Sequence, residues 1–185
     1  MIATDLEAIA GRLRAVTVQV RVGRESAGCG IIWSPDGLIV SNAHVARSEQ
    51  LAVELPEGHV LEGRVWRRDP RRDLALIGVP AQALPVPMLG DVETLRPGEI
   101  AVAVGHPFGV NHALAVGVIH QLSHPSRNRW LRADIRLAPG NSGGPLANSA
   151  GEVIGVNTLI AGGLAHAIPV TAVKRFVHET GARAA

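Results

Sequence analysis

From Val16 onward apolar and polar residues alternate: Val16, Val18, Val20 and Val22 are separated by Thr17, Gln19 and Arg21. A period of two predicts a strand with one buried face. Upstream the period is different. Leu6, Ile9 and Leu13 recur at the three- and four-residue spacing of one helix face. Thr4-Asp5-Leu6-Glu7 has capping-box spacing, which predicts a short N-terminal helix docked on the body of the domain. Downstream, short apolar runs such as Leu38-Ile39-Val40 and Leu74-Ala75-Leu76-Ile77 are separated by turn signals at Ser34-Pro35-Asp36-Gly37, Pro56-Glu57-Gly58, Asp69-Pro70, Pro97-Gly98 and Ala150-Gly151. Many short strands at this spacing predict a sandwich or barrel. Residues 80–98 hold four prolines and little regular pattern, as expected of a connection between two halves. The apolar spacing of Val170, Val173, Phe176 and Val177 predicts a closing helix on the second half.

At 185 residues, the chain is expected to form one domain, 1–185, with halves at 15–90 and 91–185. Hydrophobic residues make up 46% of it but aromatics only 3%, so the core must be aliphatic. The 18 basic residues barely exceed the 16 acidic ones. Arg67-Arg68 and Arg71-Arg72 flank Asp69-Pro70, a pattern that fits a solvated turn and no nucleic-acid surface. With a single cysteine, no disulfide forms within the chain, and Cys29 is expected as a small structural residue. No stretch is long enough to span a membrane. Residues 1–7 lack the basic and apolar regions of a signal peptide. That fits a cytoplasmic chain if Met1 is the natural start, and a periplasmic or secreted one if a leader has been removed. His120 and His124 are four apart, in strand and loop, without a third ligand at helical spacing. Those two and His59, His106, His112, His166 and His178 are expected to be loop and surface histidines, so no metal and no cofactor are implied.

The run 137–146, Leu-Ala-Pro-Gly-Asn-Ser-Gly-Gly-Pro-Leu, sets Ser142 among glycines. Glycine lets a backbone come close to a reacting group and turn its N–H groups inward. A serine hydroxyl needs a base to become a nucleophile. His44 follows the apolar run 38–40, and Asp73 opens the apolar run 74–77. The order His44, Asp73, Ser142 is one of those in which a proteolytic triad occurs. Asp69 competes with Asp73, but it lies among four arginines beside Pro70, whereas Asp73 heads an apolar strand. Gly-Asn-Ser-Gly-Gly also fits a nucleophile elbow, which needs an acid and then a histidine after the serine. The tail offers only Glu152 and Glu179, and neither pairs suitably with His166 or His178. The elbow is therefore rejected. The N–H groups of Gly140 and Ser142 are the expected oxyanion donors.

These residues resemble the protease domain of the HtrA (DegP-like) branch of trypsin-fold serine proteases. The similarity is carried by Gly28-Cys29-Gly30-Ile31-Ile32 with Ser34-Pro35-Asp36-Gly37 before His44, by Asp73-Leu74-Ala75-Leu76, by Val104-Gly105-His106-Pro107-Phe108-Gly109, by 139–146, and by Ala167-Ile168-Pro169. It covers roughly residues 16 to 170. The resemblance implies an all-β fold of two packed antiparallel β-barrels with a helix at each end. It also implies a serine endopeptidase acting on unfolded or extended polypeptides; the alternative is a trypsin-fold binding or chaperone-like protein with little proteolysis. By the same resemblance Thr158, Leu159 and Ile160 pair edge-on with an extended substrate. Arg136, six before the serine, lies near the floor of the primary pocket, and Ala165 and Ala167 line its wall. An inward Arg136 favours an acidic substrate side chain; an outward one leaves an aliphatic preference. Asn141 stands where zymogen-activated trypsins carry an aspartate, so activation by cleavage is not expected. HtrA proteins commonly trimerise through aromatic residues near the N-terminus. The first 32 residues here hold none, which points to a monomer or weak oligomer. A PDZ module, frequent in that family, does not follow Ala185 in this sequence.

Overall fold

The computed structural model describes residues 2–23, 25–106, 113–121 and 130–181. It begins with helix α1 (Ile2–Val16). Six strands follow: β1 (Thr17–Val22), β2 (Glu25–Ile32), β3 (Leu38–Ser41), β4 (Gln50–Glu54), β5 (Val60–Asp69) and β6 (Leu74–Gly78). Six more are β7 (Ile100–Gly105), β8 (Ala113–Gln121), β9 (Leu131–Asp134), β10 (Pro145–Ala147), β11 (Val153–Ala161) and β12 (Leu164–Pro169), before α2 (Val170–Glu179). Strands β1 to β6 close into one barrel, in the order β1-β2-β3-β6-β5-β4, and β7 to β12 close into a second with the same order shifted by six. The pairings between neighbouring strands are antiparallel. This is the expected all-β architecture of two barrels with a helix at each end.

Helix α1 is longer than the capping pattern predicts. It begins before Thr4, which therefore lies inside it, and it runs through Val16. The Thr17 hydroxyl donates to the Leu13 carbonyl at 2.7 Å and so satisfies an acceptor left open at the helix end. β1 differs from its predicted one-faced burial. Thr17 and Gln19 are buried along with Val18 and Val20, because α1 and β7 approach its outer side.

Two-faced burial recurs where the barrels meet, and the alternation of side chains sorts residues between two environments. Ile39, Ala75 and Ile77 face the interior of the first barrel, with Val18, Val20 and Val53. Ala101 and Ala103 face the interior of the second, an alanine-rich core completed by Ala133, Ala165, Ala167, Leu146 and Ile154. Their neighbours Leu38, Val40, Leu74, Leu76, Val102 and Val104 face a third cluster, the seam between the barrels. Ile9 and Leu13 of α1 and Val173, Phe176 and Val177 of α2 complete that seam.

Helix α2 therefore packs against both barrels, where the sequence pointed only to the second. The apolar seam holds it there, and the arginines around Asp69 add polar links from the first barrel. Arg72 reaches Glu179 with two bonds of 2.6 and 3.2 Å. Arg67 donates to the Thr180 hydroxyl at 3.0 Å and lies 5.0 Å from the centre of the Phe176 ring. The turn is solvated as expected, and its arginines also reach the last helix.

Phe176 is fully buried in the seam, so Phe176→Ala is expected to destabilise the fold by about 3–5 kcal/mol. Urea unfolding checks this, and a loss below about 1 kcal/mol would contradict the seam's role.

Candidate active site

Residues His44 and Asp73 come together through strand register. β3 pairs with β6 so that Ser41 lies opposite Ala75. The turn after β3 therefore sits beside the residue that precedes β6. Asn42 fastens the two, its side-chain amide donating to the Asp73 carbonyl at 3.0 Å. On the other side, Asp69 Oδ1 accepts the N–H groups of Arg71 and Arg72 at 2.9 and 3.1 Å. The chain then passes through Asp73 with φ of 55°, a left-handed conformation that aspartate tolerates better than most residues. Asp69 thus serves the turn, and Asp73 is the carboxylate that reaches His44.

The Asp73 carboxylate holds His44 twice. Oδ1 accepts the His44 backbone N–H at 3.0 Å and Oδ2 lies 2.8 Å from ring Nδ1. Oδ2 also accepts the Thr158 hydroxyl in a short bond from the second barrel. Partial burial pushes the Asp73 carboxyl up. The bonds from the His44 ring, the Thr158 hydroxyl and the His44 N–H outweigh that and leave it below its ordinary value of 3.8.

Ser142 lies in the segment between β9 and β10. Asn141 N–H donates to the Ala138 carbonyl at 3.1 Å, and Gly140 has φ of 104°. With Pro139 before it, this is a type II turn, whose third position needs the positive φ that glycine supplies. The Asn141 side chain donates to the same Ala138 carbonyl at 3.1 Å, which closes the turn locally. The loop rests on the first barrel. Cys29 N–H donates to the Ser142 carbonyl at 2.7 Å, and a Cβ on Gly143 would collide with the Cys29 carbonyl oxygen. Among the described residues, neither the Gly140 nor the Ser142 N–H is paired with a backbone carbonyl. The Ser142 hydroxyl donates to the Thr158 carbonyl at 3.0 Å.

A cleft of about 240 Å³ opens beside Ser142, lined by Leu137, Ala138, Pro139, Asn141, Asn157, Thr158, Leu159 and Ile160. Leu159 and Ile160 are 43% and 51% exposed, on the stretch of β11 beyond its pairing with β10, which ends at Val156.

Three expected pocket residues lie elsewhere. Arg136 is exposed and does not line the cleft. Ala165 and Ala167 are buried in the second barrel's interior. The alternation along β12 is as expected, but its small-residue face fills the crowded barrel, while His166 packs edge-on to Trp130 with ring centres 6.4 Å apart. His112, His124 and the 107–109 part of the Val104–Gly109 motif lie outside the described residues. Among the described residues, no three His, Cys, Asp or Glu side chains are grouped to hold a metal ion. The sequence reading missed two contacts, those of Thr158 and Asn42 with Asp73. The signal for the first was the polar pair Asn157-Thr158 interrupting an otherwise apolar strand.

The model for the trypsin-like peptidase domain matches residues 28–156, and the chain belongs to that family. Its relatives are HtrA-type serine proteases. The putative serine protease HhoB of Synechocystis is 43% identical over 158 residues, covering 79% of this chain and 38% of that protein. Human serine protease HTRA3 is 39% identical over 171 residues, covering 83% and 38%. A probable periplasmic serine endoprotease DegP-like of Pseudomonas putida is 38% identical over 157 residues, covering 79% and 33%. The chain thus spans 33% to 38% of the length of these relatives. Among solved structures, the HtrA-type protease AlgW with decapeptide superposes with a TM-score of 0.85 at 24% identity, over 93% of this chain and 66% of that one. That likeness concerns the fold.

The depressed Asp73 carboxyl has a consequence for acid stability. Its folded value lies below the unfolded one, so its contribution is full above the unfolded value and is lost as pH falls through the folded value. The stability difference between wild type and Asp73→Asn should therefore shrink as pH is lowered from about 5 to about 3. Urea unfolding at several pH values measures it; a pH-independent difference would contradict the assignment.

Proposed function

We propose that this domain is a serine endopeptidase that cuts extended segments of polypeptide chains. The observation that carries the reading is the Asp73 carboxylate bound to both the His44 ring and Thr158, the residue whose carbonyl receives the Ser142 hydroxyl. In this reading Ser142 Oγ attacks the scissile carbonyl and His44 Nε2 takes its proton. Asp73 keeps the other ring proton on Nδ1 and stabilises the imidazolium that forms. The N–H groups of Gly140 and Ser142 receive the developing oxyanion. His44 then passes the proton to the leaving amine, and water repeats the sequence on the acyl-enzyme.

The substrate class follows from β11. Its 158–160 stretch offers backbone groups to an added strand, the mode by which sheet edges bind extended peptides. AlgW's structure with a decapeptide supports a peptide ligand for the shared fold. An incoming peptide N–H that bonds to the Thr158 carbonyl competes with Ser142 for it and frees the hydroxyl to turn towards His44. The largely apolar cleft suits an aliphatic side chain, and Arg136, exposed outside it, does not impose an acidic preference.

The test is incubation with an unfolded protein and with a fluorophosphonate. Cleavage is expected, with the label on Ser142, and Ser142→Ala should lower turnover by about six orders of magnitude without loss of fold. Absence of both cleavage and label in a folded wild type would favour a binding protein instead. Sequencing the fragments should show cuts after aliphatic residues, unchanged in Arg136→Ala; a shift in that variant would return Arg136 to the pocket.

A further inference from the structure

Cys29 belongs to β2 of the first barrel, yet its N–H and its thiol reach the serine loop of the second. Its backbone N–H donates to the Ser142 carbonyl at 2.7 Å. Its thiol lies 3.0 Å from the Gly140 carbonyl oxygen, towards which it donates. Gly140 also receives a longer bond of 3.4 Å there from the His106 N–H. The Cys29 carbonyl is itself occupied, accepting the Ser41 hydroxyl at 2.6 Å. One residue thus grips the loop at two alternate carbonyls, 140 and 142. Between them lies the 141–142 peptide, whose N–H is that of Ser142, and next to them the N–H of Gly140.

We propose that Cys29 is a positioning residue for the oxyanion site, its thiol holding the Gly140 carbonyl so that the Gly140 and Ser142 N–H groups keep the spacing a single oxyanion requires. The proposal rests on the reading of Ser142 as nucleophile. Three features support it. Oxyanion donors act only when held in place before the charge appears, because reorganisation during reaction would consume the gain. The loop is built on glycines, whose backbone freedom makes an external hold necessary. The thiol keeps its proton and so remains a donor: burial pushes it up to about 12, and the neighbouring His106 N–H lowers it only in part. The His106 ring nitrogen Nδ1 lies 3.3 Å from the same Sγ; in the tautomer with the proton on Nδ1 it donates to the sulfur and leaves the single thiol proton for the Gly140 carbonyl. The thiol is fully buried, so it acts here as a hydrogen-bond donor and not as a nucleophile.

The test compares Cys29→Ala, which removes the donor, with Cys29→Ser, which keeps one. With a peptide substrate, Cys29→Ala should lose about threefold to tenfold in kcat, the size of one neutral hydrogen bond, with KM within about twofold. Affinity for a peptide boronic acid, which places a charged oxygen in the oxyanion site, should fall in parallel. Cys29→Ser should come within about twofold of wild type in both. Unchanged kcat and boronate affinity in Cys29→Ala would overturn the proposal. So would an equal loss in both variants that follows a fall in Tm, since that marks a packing role. If the wild type neither cleaves nor takes a fluorophosphonate, the proteolytic reading fails on its own. The grip is then read from amide hydrogen exchange across 138–142: faster exchange in Cys29→Ala than in Cys29→Ser supports it, and equal rates overturn it.

Discussion

The seam between the barrels is the constraint on which the rest depends. β3, β6 and β7 have no solvent face at their centres, since one side fills a barrel and the other fills the seam. Burying a side chain of this size removes about 1.5–3 kcal/mol of unfavourable hydration. The barrels therefore cannot slide or rotate on one another without exposing Leu38, Val40, Leu74, Leu76, Val102 and Val104 together. This fixed orientation lets groups at strand ends meet across a crevice with hydrogen-bond accuracy. The turn after β3, the turn before β6 and the loop before β10 are all short continuations of strands held in this way.

Asp73 is where that mechanical link becomes a chemical one. Its carboxylate accepts from His44 within its own barrel and from Thr158 in the other. A carboxylate that lost these donors would face the unfavourable effect of burial alone. Thr158 reaches it from an irregularity in β11, where the register with β12 shifts between Asn157 and Leu159. Bulges of this kind re-aim a side chain at the cost of one ladder position. Here the same residue directs its hydroxyl to Asp73 and its carbonyl to Ser142.

What the sequence revealed and what it hid follow from the same physics. The pairing of His44 with Asp73 was legible, and Ser142 stood out as a candidate, because hydrolytic chemistry demands particular residue types in glycine-rich or strand-end settings. Barrel architecture was legible from turn spacing. The repeat of one topology in both barrels was not, because strand order depends on pairings and leaves no period in the residues. Continuous apolar runs at β3 and β6 announced burial without saying that alternate residues serve different cores. Thr158 was read only as a backbone partner, because a bulge cannot be located from alternation. The alanines of β12 were assigned the right shared face, and that face lies in the interior of the second barrel, where small side chains suit the crowding of a closed sheet.

The contact of β2 with the serine loop also bears on whether the halves are separable. The connector 79–99 joins two closed barrels of one topology, which suggests modules that could be parted and reused. Yet the carbonyl of Ser142 is held by a backbone amide of the first barrel, and the carboxylate beside His44 by a hydroxyl of the second. Each barrel is a wall against which the other's loop takes shape. Either half alone would expose its seam face and leave its site loop with nothing to lean on. The two halves thus share one architecture and form a single structural unit.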